Sequence, residues 1–299
     1  MKILDTLKQE SSLEPIAHDP VALSLFPLIP YHDFSAALGE ISTIARFHKM
    51  CRIVGHPGIG KTTLLLQYAQ AHENAYYLCP THGCRAKSLL RMMGEVMGYY
   101  LPHATIQSAV QDLIAFLNSR VYDSVFLIDE CDTLCPKGNH IDNLDKLDIL
   151  RYIWDYTKLR TAFIFAAPYD LEVRLQKSSE QISNSQFYRR CQIYQMQGMV
   201  KSDTKKFLAQ VEREFHVRFD DIVVDELIKR IAAVERGGLG ISIEILSNCL
   251  MAVLPQWEAY YKAIEAARPR EEALHVFDSI NEPVLIELPL LRKSMELLR

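Results

Sequence analysis

The run Cys51 to Ala69, CRIVGHPGIGKTTLLLQYA, limits what the chain can fold into more than any other stretch. Its centre, Gly55 to Thr62, fits G-x-x-x-x-G-K-[ST], with an apolar strand-like run before it and a helix-like run after it. Gly55, Gly58 and Gly60 let the backbone curl and aim its N–H groups at phosphate oxygens. His56, Pro57 and Ile59 fill the variable positions of that loop. Lys61 adds positive charge at the outer phosphates, and Thr62, followed by Thr63, supplies a hydroxyl for Mg²⁺. Strand, glycine loop and helix in this order predict nucleotide binding by an α/β domain.

The rest of the chain supports that class. Strand patterns at 51–54, 75–79, 124–129 and 161–166 interleave with helix patterns at 61–72, 86–98, 106–119 and 144–157. YYLC, VFLID and AFIFA are almost wholly apolar, as strands buried on both faces are, so the sheet is parallel and covered by helices on both sides. Beyond Gly198 strand signals mostly stop, and 202–216, 221–235 and 241–262 read as amphipathic helices, with Gly237-Gly238-Leu-Gly240 as the break before the third. The division is therefore an extended arm over 1–33, with prolines at 15, 20, 27 and 30, an α/β domain over 34–200 and a small helical domain over 201–254. The extension over 255–299 reads as a docking tail or an added strand and helix. Arm and tail are both expected to dock partners.

A second chemical element is Val125-Phe-Leu-Ile-Asp129-Glu130, an apolar strand ending in two carboxylates. Asp129 is placed to hold the Mg²⁺ shell and Glu130 to orient and deprotonate an attacking water, so hydrolysis is expected together with binding. A formal net charge of -4 gives no bulk attraction to nucleic acid, so any such contact needs a local basic surface. No long apolar run and no signal-peptide core appears, which predicts a cytoplasmic protein without membrane contact. The seven cysteines suit reduced thiols; Cys79, His82 and Cys84, or Cys131 and Cys135, make no paired C-x-x-C set for zinc.

The phosphate loop, LIDECDTL, the following strand and the helical region opening at Gly237-Gly238 resemble the AAA+ P-loop NTPase fold over roughly residues 35–252. In compact size, and in PTHGCRAKSLLRMMGEVMGYY before HATIQSAVQDLIAFL, the chain resembles the transposition regulators of the TnsC, TniB and Mu B kind. That resemblance implies an ATP- and Mg²⁺-dependent homo-oligomer, ring or helical filament, on double-stranded DNA. It would recruit a transposase, with a target-selection protein as a further partner, and hydrolysis would disassemble it. It also places a trans-acting arginine finger at Arg189 in FYRRC, with Arg190 as the alternative, and turns the region of Arg85, Lys87, Ser88, Arg91 and Thr105 towards DNA. Lys87 and Arg91 share a helical face, which suits a phosphate backbone.

Two positions depart from the pattern. After AFIFA stand Ala167-Pro168-Tyr169-Asp170, so a small polar phosphate sensor is missing or has moved to Tyr169 or Asp170. GGLGISIEIL lacks the arginine that many such lids carry after the glycines, and slow or partner-stimulated hydrolysis is the expectation. A helicase loader or replication-initiation ATPase, and a nucleotide-gated switch without DNA, are the alternative functions.

Overall fold

The computed structural model describes residues 26, 28–101, 105–134, 145–157, 160–171, 187, 189–233, 235, 238–266 and 268–298. Five parallel strands form one sheet: β1 (Met50–Val54), β2 (Ala75–Leu78), β3 (Ser124–Ile128), β4 (Thr161–Ala167) and β5 (Cys191–Gln195), in the order β2-β3-β4-β1-β5. Around it lie α1 (His32–Arg46), α2 (Lys61–Ala71), α3 (Ala86–Glu95), α4 (Ile106–Ser119) and α5 (Asp145–Thr157).

The apolar strands are explained by burial on both faces. Phe126 and Ile128 of β3 with Phe163 and Phe165 of β4 join the core under α3, α4 and α5, whereas Val125, Leu127, Ala162 and Ile164 join the one under α1 and α2. Each fully buried Phe or Ile contributes on the order of 1.5–3 kcal/mol. Arg52 is the exception, a charged side chain with no exposure in the middle of β1, its guanidinium 6.0 Å from the Phe187 ring centroid.

The second unit is helical: α6 (Lys201–Phe215), α7 (Asp221–Ala232), α8 (Gly238–Val253), α9 (Trp257–Glu265), α10 (Arg270–Leu274) and α11 (Leu288–Glu296). A small parallel pair, β6 (Val217–Phe219) with β7 (Val284–Ile286), joins its middle to the C-terminal segment. Phe277, Ile286 and Leu291 share one core with Val211, Leu227 and Leu246, so residues 257–298 fold onto the helical unit as a strand and helices. The described end of the N-terminal arm does the same: Phe26 is 3% exposed, its ring packed among Phe207, Phe215 and Trp257. The remainder of the arm, Cys135 and Gly237 lie outside the described residues.

Three boundaries differ from the sequence expectation. The 241–262 helix is two helices, because Pro255 removes an N–H and its ring would clash with the preceding turn. The helix expected to reach residue 98 stops at Glu95, where the Tyr99 N–H bonds back to the Gly94 carbonyl and Gly98 takes a positive φ of 68°. β5 carried no strand signal because it is an edge strand with exposed Gln192 and Ile193, and its pairing to β1, Met50 with Cys191, is what defines it.

Candidate nucleotide site

The phosphate loop bridges β1 and α2, anchored where the Gly55 N–H donates to the Ala167 carbonyl of β4 at 3.3 Å. Gly58 and Gly60 adopt φ of 75° and 99°, backbone open to glycine and costly to other residues, and Gly60 is the N-cap of α2. The Ile59 side chain is buried in the core below, so of the loop residues predicted to bind it can offer only backbone. His56 stacks on Tyr169, ring centroids 5.9 Å apart, which sets the residue after the sensorless Ala167-Pro168 beside the loop.

Lys61, at the start of α2, donates from Nζ to the carbonyls of Gly55 at 2.8 Å and His56 at 3.0 Å, so the ammonium sits within the cradle that it is expected to share with phosphate. Burial pushes its pKa down, against Glu130, Asp129 and Asp132, which raise it. β4 lies between β3 and β1, so the acidic pair at the end of β3 is next but one to the loop. Asp129 is 2% exposed and accepts from Tyr77 Oη at 2.9 Å on Oδ2 and from the Glu130 N–H at 2.9 Å on Oδ1. Among the described residues, two acceptor positions of the carboxylate remain beyond those bonds. Glu130 is itself left-handed, φ 45°, and its carboxyl reaches solvent; burial, then Asp129 and Asp132, raise its pKa, while Lys61 lowers it.

Lys61 and Glu130 line one cavity of about 380 Å³, at the small end of the range for ligand pockets, whereas Gly55, His56, Ile59 and Asp129 stand outside its lining. Its polar end holds Lys61, Thr62, Thr63 and Glu130 with Pro57, Gly58 and Gly60 of the loop. Its apolar end is made by Leu28, Ile29, Tyr31 and Phe34, by Met199 between β5 and α6, and by Phe207, Leu239 and Ile243 of the helical unit. Charged phosphates suit the first end and a flat base the second. Hard oxygen donors, the Thr62 hydroxyl and the Asp129 carboxylate, are the set that Mg²⁺ selects.

Sequence reasoning missed the apolar end. Tyr31 donates from Oη to the Ile59 carbonyl at 2.6 Å, and burial pushes its hydroxyl pKa up, so it stays a donor. Asp33 accepts from the Gln197 and Gly198 N–H groups and from Tyr194 Oη, whose pKa burial and then Asp33 push up to about 12. The only sequence signal for these contacts was an apolar run among prolines.

Other candidates lie away from the cavity. Arg189 and Arg190 precede β5, at the end of the sheet opposite to the phosphate loop; Arg189 is exposed, whereas Arg190 pairs with Asp155 of α5. Arg85, Ser88 and Arg91 are exposed at or on α3 and Lys87 is half-buried. Thr105 belongs to the next helix and is its N-cap, its hydroxyl accepting from the Ser108 N–H at 3.2 Å. Among the described residues no helix is long and apolar enough to cross a membrane.

Residues 46–175 match the family model described as an AAA domain. Among solved structures the chain is similar to the Aeropyrum pernix ORC2 protein in its ADPNP-ADP complexes, at 17% identity and TM-score 0.56 over 86% of this chain and 67% of that one. It is similar to a Drosophila ORC chain bound to DNA, at 14% identity and TM-score 0.55 over 95% of this chain and 65% of that one. The Aeropyrum pernix ORC1 protein in complex with DNA gives 14% identity and TM-score 0.55 over 87% and 68%. The chain thus spans about two thirds of the length of these structures, and at such identities the likeness is one of fold. No curated protein matches the sequence. With its parallel sheet in the order β2-β3-β4-β1-β5 and its glycine loop after β1, the chain has the AAA+ P-loop NTPase fold, and the stretch similar to the AAA domain family is residues 46–175.

Proposed function

We propose that this chain is an Mg²⁺-dependent ATPase that binds ATP between the phosphate loop and the helical lid, and works as a homo-oligomer on double-stranded DNA. The observation that carries the reading is the convergence of Lys61, Thr62 and Glu130 with the lid residues Leu239 and Ile243 on one cavity that has a polar and an apolar end. Lys61 and the loop N–H groups hold the phosphates, and Thr62 and Asp129 hold the metal, which supplies charge neutralisation when bound. Glu130 orients water and takes its proton; Tyr77 and the Glu130 N–H fix the Asp129 carboxylate. Arg189 of a neighbouring copy completes the site, so turnover follows assembly.

Two processes compete for the output. The resemblance of the 80–117 region to TnsC, TniB and Mu B favours a transposition regulator that hands target DNA to a transposase. The fold likeness to ORC chains, two of them solved with DNA, favours a replication-initiation ATPase and covers more of the chain, so it supports that reading at least equally. The test is negative-stain electron microscopy with a non-hydrolysable ATP analogue, with and without a random-sequence duplex, beside Lys61→Ala. Rings or filaments that need both DNA and Lys61 support the reading. Assembly indifferent to DNA moves the protein to a nucleotide switch on protein partners. Capture of a transposase or of a replicative helicase by the Glu130→Gln protein then separates the two processes.

A further inference from the structure

The segment before β1 ties together three parts of the molecule that a nucleotide would have to move in concert. Phe26 is buried in the core of the helical lid. Leu28 and Ile29 line the apolar end of the cavity. Tyr31 lines it too, and its hydroxyl holds the Ile59 carbonyl of the phosphate loop at 2.6 Å. The His32 N–H donates to Asp203 Oδ2 of the first lid helix at 3.2 Å. The Asp33 carboxylate grips the hinge itself, accepting from the Gln197 N–H at 2.7 Å, the Gly198 N–H at 2.9 Å and Tyr194 Oη at 2.8 Å. Gly198, with φ 92°, lies between the end of β5 and the start of α6, where the chain crosses from sheet to lid.

We infer that Tyr31 and Asp33 are positioning residues that couple the phosphate loop to the lid hinge, so that filling the cavity sets the lid angle. The inference rests on the nucleotide reading of that cavity. Neighbouring residues of one chain cannot move independently: a shift of Ile59 is passed through Tyr31 to Asp33, and from there to the hinge amides. Charge-assisted bonds from two backbone N–H groups to one carboxylate are the strong kind, which makes the hinge contact firm enough to transmit such a shift. Asp33 does not line the cavity, so its part in the coupling is separable from binding, whereas Tyr31 lines it and is tested with the analogue at saturation.

Hydrogen exchange of the full chain, with and without a non-hydrolysable ATP analogue, tests this on the parent, Asp33→Ala, Tyr31→Phe and Lys61→Ala proteins. In the parent, the analogue is expected to protect amides of the phosphate loop and of residues 196–203 together. Asp33→Ala keeps loop protection and loses the response at 196–203. Tyr31→Phe preserves the ring in the cavity wall, removes the hydrogen bond to the Ile59 carbonyl, and diminishes the hinge response even where the analogue saturates the loop. If Asp33→Ala fails to fold, Tyr31→Phe alone decides. An unchanged hinge response in the variants, or parent protection confined to the loop, overturns the coupling while leaving nucleotide binding intact. No protection anywhere in the parent, as in Lys61→Ala, overturns the nucleotide reading and the coupling with it.

Discussion

Gly240, in the first turn of α8, packs its backbone directly on Gly58 of the phosphate loop: a Cβ at Gly240 would lie 2.8 Å from the Gly58 Cα. The obstacle is backbone that already holds a positive φ, so it cannot step aside cheaply. Gly240→Ala should therefore push the lid away from the loop, at a cost of about 1–3 kcal/mol of the kind overpacking carries. Expressed in nucleotide affinity, that is roughly a fivefold to hundredfold loss. Alanine is also the better helix former by about 0.5–1 kcal/mol, which offsets only part of that cost, so the variant's thermal midpoint without nucleotide should fall modestly. Titration with a fluorescent nucleotide beside thermal unfolding checks both, and unchanged affinity would remove the lid from the binding site.

Glu130 is expected to show opposite signs in activity and stability. Burial and the neighbouring Asp129 and Asp132 raise its pKa above that of an ordinary glutamate. A general base must be ionised, so turnover should fall as pH drops through that raised value, at higher pH than an unperturbed glutamate would give. For stability, a carboxyl with a raised folded pKa stabilises below its unfolded pKa, and that contribution is lost as pH rises through the folded one. Ionised Glu130 at neutral pH is thus a cost that solvent exposure moderates. Glu130→Gln should bind ATP, lose about 10²–10⁴-fold in turnover and unfold no earlier than the parent at pH 7, with any advantage shrinking on acidification. Steady-state hydrolysis and calorimetry across pH 4.5–8 measure this; parental turnover would sink the assignment.

The surface of α3 makes a prediction about salt. Arg85, Ser88 and Arg91 are exposed there with Lys87 half-buried, and a phosphate-following surface binds without reading sequence. Replacing Lys87 and Arg91 together by alanine should weaken duplex binding similarly across sequences and lower the slope of log K against log salt by about two. Thr105→Ala should instead cost roughly 1 kcal/mol of stability, since its hydroxyl caps α4, with little change in DNA affinity. Fluorescence anisotropy at several salt concentrations distinguishes the two; an unchanged slope in the double variant rejects this face.

What was legible in the sequence follows from how local each signal is. The loop from Gly55 to Thr62 and the pair Asp129-Glu130 announce themselves because chemistry needs those residue types at those spacings, and the strands do so because double-sided burial demands unbroken apolar runs. β5 was hidden because its outer side chains are exposed and its pairing along β1, from Met50 with Cys191 to Val54 with Gln195, is what makes it a strand. Pro255 divides the expected 241–262 helix, because it cannot continue the hydrogen-bonded ladder although helical sequence stands on both sides of it. The apolar end of the cavity was illegible for a different reason. Leu28, Tyr31, Met199 and Ile243 meet only after the lid folds back, and no periodicity encodes such a meeting.

The two arginines before β5 should separate cleanly. Cys191 lies level with Met50 and Gln195 with Val54, so Arg189 stands at the far end of the strands from Gly55. At about 3.3 Å per residue the gap is roughly 15–20 Å, too long for its side chain to reach its own site. Arg190 is committed to Asp155, which also pairs with Arg151 at 3.1 Å. Arg190→Ala should therefore lose up to about 1 kcal/mol of stability and keep its turnover. Arg189→Ala should keep ATP affinity and lose assembly-dependent turnover by about 10³-fold or more. Mixed with Glu130→Gln, which binds ATP without turning it over and supplies an intact Arg189, it should recover part of the parental rate, because a junction between the two can pair one sound site with one sound finger. Recovery that scales with the fraction of mixed junctions supports action in trans, and no recovery in assemblies shown to contain both proteins excludes Arg189 as the finger.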